Sequence, residues 1–82
     1  MSDKVSEEIN KRFFEAFDAL IARGDVRSSY QFCTDRKIDR RNFDRLRAEP
    51  RRKFPLSLIR TLVLDFGVSA DWIVTGRGVM FN

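Results

Sequence analysis

The sequence predicts an all-α fold: a five-helix bundle in a single domain covering residues 1–82. Three observations carry that expectation. Apolar residues recur at helical spacing and not at strand spacing. Ser, Asp, Pro and Gly stand where helices begin and end. Eighty-two residues leave no material for a second core. A chain of this size buries only roughly 60% of its unfolded surface, so it needs either staples or economical helix packing. The lone cysteine, Cys33, cannot form an internal disulfide, and the absence of histidine excludes the usual zinc spacings and every His-dependent catalytic arrangement. The core is therefore expected to be hydrophobic, built from a chain that is 43% apolar with eight phenylalanines.

In the first helix, expected over residues 6–23, Ile9, Phe13, Phe17, Leu20 and Ile21 form one apolar stripe. Glu7 and Glu8 in its first turn and Arg23 in its last suit the helix dipole, and Gly24 ends it. Ser28 and Gln31 have the spacing of a capping box, in which the hydroxyl accepts an orphan N–H and the amide reaches back to the cap. A short second helix bearing Phe32 and Cys33 follows and runs out near Arg36. Asp39 is the expected N-cap of a third helix from Arg40 to about Ala48, with Ile38 and Phe43 as a hydrophobic staple. Pro50 pushes Glu49 out of helical geometry. The segment 49–54 reads as a surface loop. Pro55 is expected as the first residue of a fourth helix with Leu58, Ile59, Leu62, Val63 and Phe66 on its inner face and Gly67 as its stop. Ser69 caps a short fifth helix with Val68 and Ile73 as its staple, and Thr75 to Gly78 break it. The tail Val79, Met80 and Phe81 is too short to classify. It could pair with a second copy, pack on its own core, or continue into a longer protein.

Charge is unevenly spread. The chain carries sixteen basic and twelve acidic residues, net +4, yet residues 25–53 alone hold ten basic and five acidic groups. Nine of the eighteen positions from 36 to 53 are Arg or Lys, the electrostatic footprint expected of a protein that meets phosphates, or simply a well-solvated helix face. The second and third helices, about 28–48, have the layout of a helix-turn-helix. Phe32, Cys33, Ile38, Phe43 and Leu46 fit the apolar and small positions that pack such a pair. Lys37 departs from the pattern where glycine is usual, and should cost about 1 kcal/mol or force a different turn. Gly67, Val68 and Ser69 match the turn more closely, but in that register Gly76 falls where a buried aliphatic is needed, so the fourth and fifth helices read as scaffold.

These residues, together with the closing stretch FGVSADWIVTGRG from Phe66 to Gly78, resemble the lambda-repressor and Cro-like helix-turn-helix family of phage and mobile-element repressors. The resemblance covers about residues 9–78. It implies a sequence-specific double-stranded DNA-binding domain of a transcriptional regulator, with the third helix presented to DNA and a homodimer as the usual state. An enzyme is not expected, because Asp35, Asp39, Asp44 and Glu49 are interleaved with arginines and read as ion-paired or capping groups.

On the third helix Arg41, Asp44, Arg45 and Ala48 face away from the core direction set by Phe43 and Leu46, while Arg40 and Asn42 occupy the first turn. Arg40, Arg41, Asn42 and Arg45 are the expected base readers, because arginine forks to guanine and asparagine pairs with adenine. Asp44 is expected to hold Arg40 or Arg41. Phosphate contacts are expected from Ser28 and Ser29 at the start of the second helix, and from Arg51, Arg52 and Lys53 in the loop. Cys33 and Trp72 read as core residues, and Tyr30 as either a phosphate contact or an ordinary surface residue. The alternatives are a non-catalytic protein-interaction module that meets an acidic partner through the basic loop, or RNA binding, which A-form geometry disfavours for a helix reader. No cofactor or metal is expected. With no long apolar run or leader, a cytoplasmic protein with no membrane partner is expected.

Overall fold

The first helix, α1 (Lys4–Arg23), is the spine on which the rest of the chain is assembled. The computed structural model describes residues 4–82, and over these the fold is all-α, with α2 (Ser29–Asp35), α3 (Arg40–Ala48), α4 (Leu56–Phe66) and α5 (Ala70–Thr75) following in order. None of these helices is long and apolar enough to cross a membrane. α1 is already helical at Lys4, the first described residue and two before the expected boundary, and buries a broader face than one stripe: Asn10, Phe13, Phe14, Ala16, Phe17 and Leu20. The added width comes from Phe14. Its ring meets Phe13 edge-on at 5.0 Å within α1, and is covered from outside by Phe43 of α3 at 5.3 Å and by Phe54 at 6.2 Å.

Seven of the eight phenylalanines form one linked set. Phe13, Phe14 and Phe17 from α1 meet Phe43 from α3, Phe17 and Phe43 meet Phe32 from α2, Phe54 closes over Phe13 at 4.8 Å, and Phe32 reaches Phe66 of α4. Most of these pairs are edge-on or tilted, the arrangement that ring quadrupoles favour, worth about 0.5–1.5 kcal/mol per pair beyond area burial. Leu58, Ile59 and Leu62 of α4, with Val68 and Ile73, complete the core.

Local chemistry sets the helix ends. Ser28 caps α2, its Oγ accepting the Gln31 N–H at 3.1 Å. The expected return half of that capping box is not formed: the Gln31 amide donates forward to Asp35 at 2.7 Å, one turn along α2, where a charged acceptor outcompetes a backbone partner. Asp39 caps α3 by accepting the Arg41 N–H at 3.0 Å. Between them Lys37 adopts φ +55°, the only non-glycine residue with positive φ among those described. The turn therefore keeps its left-handed residue in spite of the lysine. Its hydrogen bonds, Lys37 N–H to the Thr34 carbonyl at 3.3 Å and Ile38 N–H to Cys33 at 2.8 Å, together with burial of Cys33 and Phe43, hold that conformation against its steric cost. Pro55 is the N-cap of α4 and not, as expected, its first residue; with ψ 125° it is still extended.

Two polar side chains of α1 reach the C-terminal ends of other helices. Pro50 has no N–H to offer the Leu46 carbonyl four residues back. Asn10, 1% exposed, supplies the missing donor, its Nδ2 lying 3.0 Å from that oxygen. Arg12 does the same for α5, donating to Ile73 at 2.7 Å and Val74 at 3.1 Å. Gly76 ends α5 at φ +79° with the Arg12 guanidinium only 3.2 Å from where a Cβ would stand, so both its conformation and its lack of a side chain are used. The tail folds back on its own domain: Val68 and Phe81 form an isolated antiparallel bridge, and Arg23 covers the Phe81 ring at 4.1 Å.

Two stability changes follow. Asn10→Ala strands a buried carbonyl at the end of α3 and should cost about 1–3 kcal/mol in urea unfolding. Lys37→Gly relieves the left-handed strain and should raise stability by about 1 kcal/mol; a loss would show that the lysine contributes a contact that outweighs its φ.

Candidate nucleic-acid interface

α3 has two unlike sides. Phe43 and Leu46 face inward and are buried, whereas Arg40, Arg41, Asn42, Asp44, Arg45, Arg47 and Ala48 are exposed. Both ends are fixed, by the Asp39 cap at the start and by Asn10 near the finish. The helix is thus a rigid rail whose outer side chains are set by their spacing of about 100° per residue.

Ion pairing divides the cations of this region. Arg40 lies 3.8 Å from Asp44 one turn along and 5.6 Å above the Tyr30 ring, so the carboxylate takes the holding role expected of it and Tyr30 serves as a platform. That contact brings the first turn of α2 beside the first turn of α3. Arg47 forks onto Asp18 of α1 at 2.9 and 3.0 Å and covers Phe14 at 4.6 Å. The Asp18 bonds favour its charged form, more than offsetting partial burial. Arg36 lies over Phe32 and Phe66 and pairs with Asp65 at 3.3 Å, locking α2 to α4. Among the described residues, Arg41 and Arg45, one turn apart, have no ion-pair or hydrogen-bond partner for their side chains, and Asn42 has none between them.

The expected phosphate contacts do not all gather at this surface. Ser28 and Ser29 are half-exposed at the start of α2, near Tyr30 and Arg40, although the Ser28 oxygen already accepts the cap bond. In the loop, Arg51 is bonded back to Glu7 of α1 at 3.1 Å and Arg52 to Glu49 at 2.9 Å, while Lys53 is exposed with no ion-pair partner among the described residues. Elsewhere, Cys33 is buried, and that burial pushes its thiol pKa up, away from the reactive thiolate. Trp72 is half-buried against the core. Among the described residues no group of three or more potential ligands could hold a metal ion.

Sequence reasoning missed Asn10, the Tyr30 platform and the Arg47–Asp18 fork. Asp18 and Arg47 are 29 positions apart with nothing local to link them, whereas a Pro four residues after a helical carbonyl was a readable sign that Leu46 needs another donor.

The Arg51 hydrogen bond, with Lys11 assisting, holds the Glu7 carboxyl below its ordinary pKa in spite of some desolvation. A lowered folded-state pKa contributes stability that is fully present above the ordinary glutamate value and is lost as pH falls through the lowered one. Glu7→Gln should therefore be less stable than the parent at neutral pH, with the gap closing in strong acid; urea midpoints along a pH series check this, and a gap independent of pH would contradict it. Compared with protein-family models, curated proteins and solved structures, the chain matches none.

Proposed function

We propose that this chain is a sequence-specific double-stranded DNA-binding domain of the helix-turn-helix type, in which α2 lies across the backbone, α3 enters the major groove, and the whole acts as a repressor-like transcriptional regulator. One observation carries the reading: Arg41, Asn42 and Arg45 stand exposed, their side chains without a partner among the described residues, on the outer side of a helix whose inner side and both ends are fixed. Donors left free on a rigid rail suit recognition, because no internal bond must break before they fork to base edges. Arg40, steadied by Asp44 and Tyr30, fits the rim of that contact. The lambda-repressor-like resemblance of the sequence and the left-handed turn at Lys37 support the same reading.

Within residues 25–53 the cations with no ion-pair partner among the described residues, Arg27, Lys37, Arg41, Arg45 and Lys53, set the electrostatic scale. If about five phosphates are neutralised, log K against log salt should have a slope of about −4 to −5. Selection from random duplexes at two salt concentrations, followed by anisotropy titrations, tests both parts. Arg41→Ala combined with Arg45→Ala should erase preference among sequences while leaving weak binding with a shallower slope. A flat salt response, or unchanged preference in the double variant, would overturn the proposal. Duplex RNA competing as well as duplex DNA would overturn it too.

A further inference from the structure

An open cleft of about 590 Å³ lies where residues of α1, α4, α5 and the loop after α3 converge, within the usual size of small-molecule sites. Its walls are apolar: Ile9, Phe54, Leu56, Ile59 and Val74. Leu56 is 79% exposed there, a large apolar side chain left in water at the first position of α4. The charged side chains of the cleft have one sign: among the described residues Arg51 and Lys53 line it and no carboxylate does, with Ser6 a neutral polar group beside them. Glu7 holds Arg51 from outside, and Lys53 has no ion-pair partner among the described residues. α4 begins at Leu56 with Pro55 as its N-cap, which makes no side-chain cap bond, so the positive end of an eleven-residue helix opens at the same place without a capping acceptor.

An apolar wall beside a free ammonium and an uncapped helix start calls for a ligand with an apolar body and an anionic head. We propose that this cleft binds a small amphiphilic carboxylate, its hydrocarbon part lying along Ile9, Phe54, Ile59 and Val74 and its carboxylate between Lys53 and the first turn of α4. The size of the cleft suits a small ligand, since its volume of about 590 Å³ falls within the range of small-molecule sites. The assignment does not rest on the DNA-binding reading, with which it shares only Lys53.

Calorimetric titration of the intact chain with decanoate below its micelle concentration, and with decanol as the uncharged counterpart, tests it. Decanoate should saturate one site and decanol should bind far more weakly. Lys53→Gln should weaken decanoate about tenfold, and Leu56→Asp should abolish binding. Arg60→Gln, an exposed cation of α4 outside the cleft, should change nothing. All three positions are exposed, and far-UV circular dichroism verifies that each variant is folded. Equal binding of decanol, loss of affinity in Arg60→Gln matching that in Lys53→Gln, or binding that never saturates would overturn the proposal. So would self-association abolished by Leu56→Asp, which would make a second copy the occupant, or preferential capture of an acidic amphipathic peptide over decanoate.

Discussion

The bond from Asn10 to the Leu46 carbonyl is the constraint on which the arrangement of α3 rests. Pro50 stops the helix and in doing so removes the donor that would have satisfied that oxygen. A buried carbonyl without a partner costs about 1–3 kcal/mol, a large share of what an 82-residue domain can muster. The donor comes from a helix 36 positions earlier, so the satisfaction of the end of α3 and its docking on α1 are the same event. Arg12 repeats the device at the end of α5. With each link, a helix too short to persist alone is anchored at its weak end to the one helix long enough to serve as a scaffold.

The aromatic set supplies what those polar links cannot. α2 has seven residues and α3 nine, well below the length at which isolated helices hold in water. Phe32 and Phe43 commit both to the rings of α1, with centroids 5.0 and 5.2 Å from Phe17. Cohesion lies at the centre and charge at the outside. Arg47 and Arg36 join the two regimes, each lying over a core ring while pairing with an acid at the surface.

Much of the fold was legible because it is written locally. Ser28, Asp39 and Ser69 each cap the helix expected of them, Gly67 and Gly76 end theirs in left-handed geometry, and the buried faces of α1 and α4 follow helical periodicity. What escaped was non-local or a contest between local options. The Gln31 amide had two possible partners within one turn and took the charged one. Phe14 lies beside the predicted stripe, and the arrival of Phe43, Phe54 and Arg47 makes its position interior. Of the candidate interface, the exposure of Arg41, Asn42 and Arg45 could be read from helical rotation alone. The retirement of Arg51 and Arg47 into internal pairs depends on where α1 lies, which no spacing rule within the basic segment contains.

The separation of the two sides of α3 has an evolutionary consequence. Its inward residues are constrained by every ring they touch, while the side chains of three of its outward residues have no ion-pair or hydrogen-bond partner among the described residues. Exposed, uncoupled positions tolerate substitution within about 0.5 kcal/mol, so drift at 41, 42 and 45 can explore new surface chemistries while folding stays intact. Such a scaffold can diversify in what it meets without having to reinvent how it holds itself together.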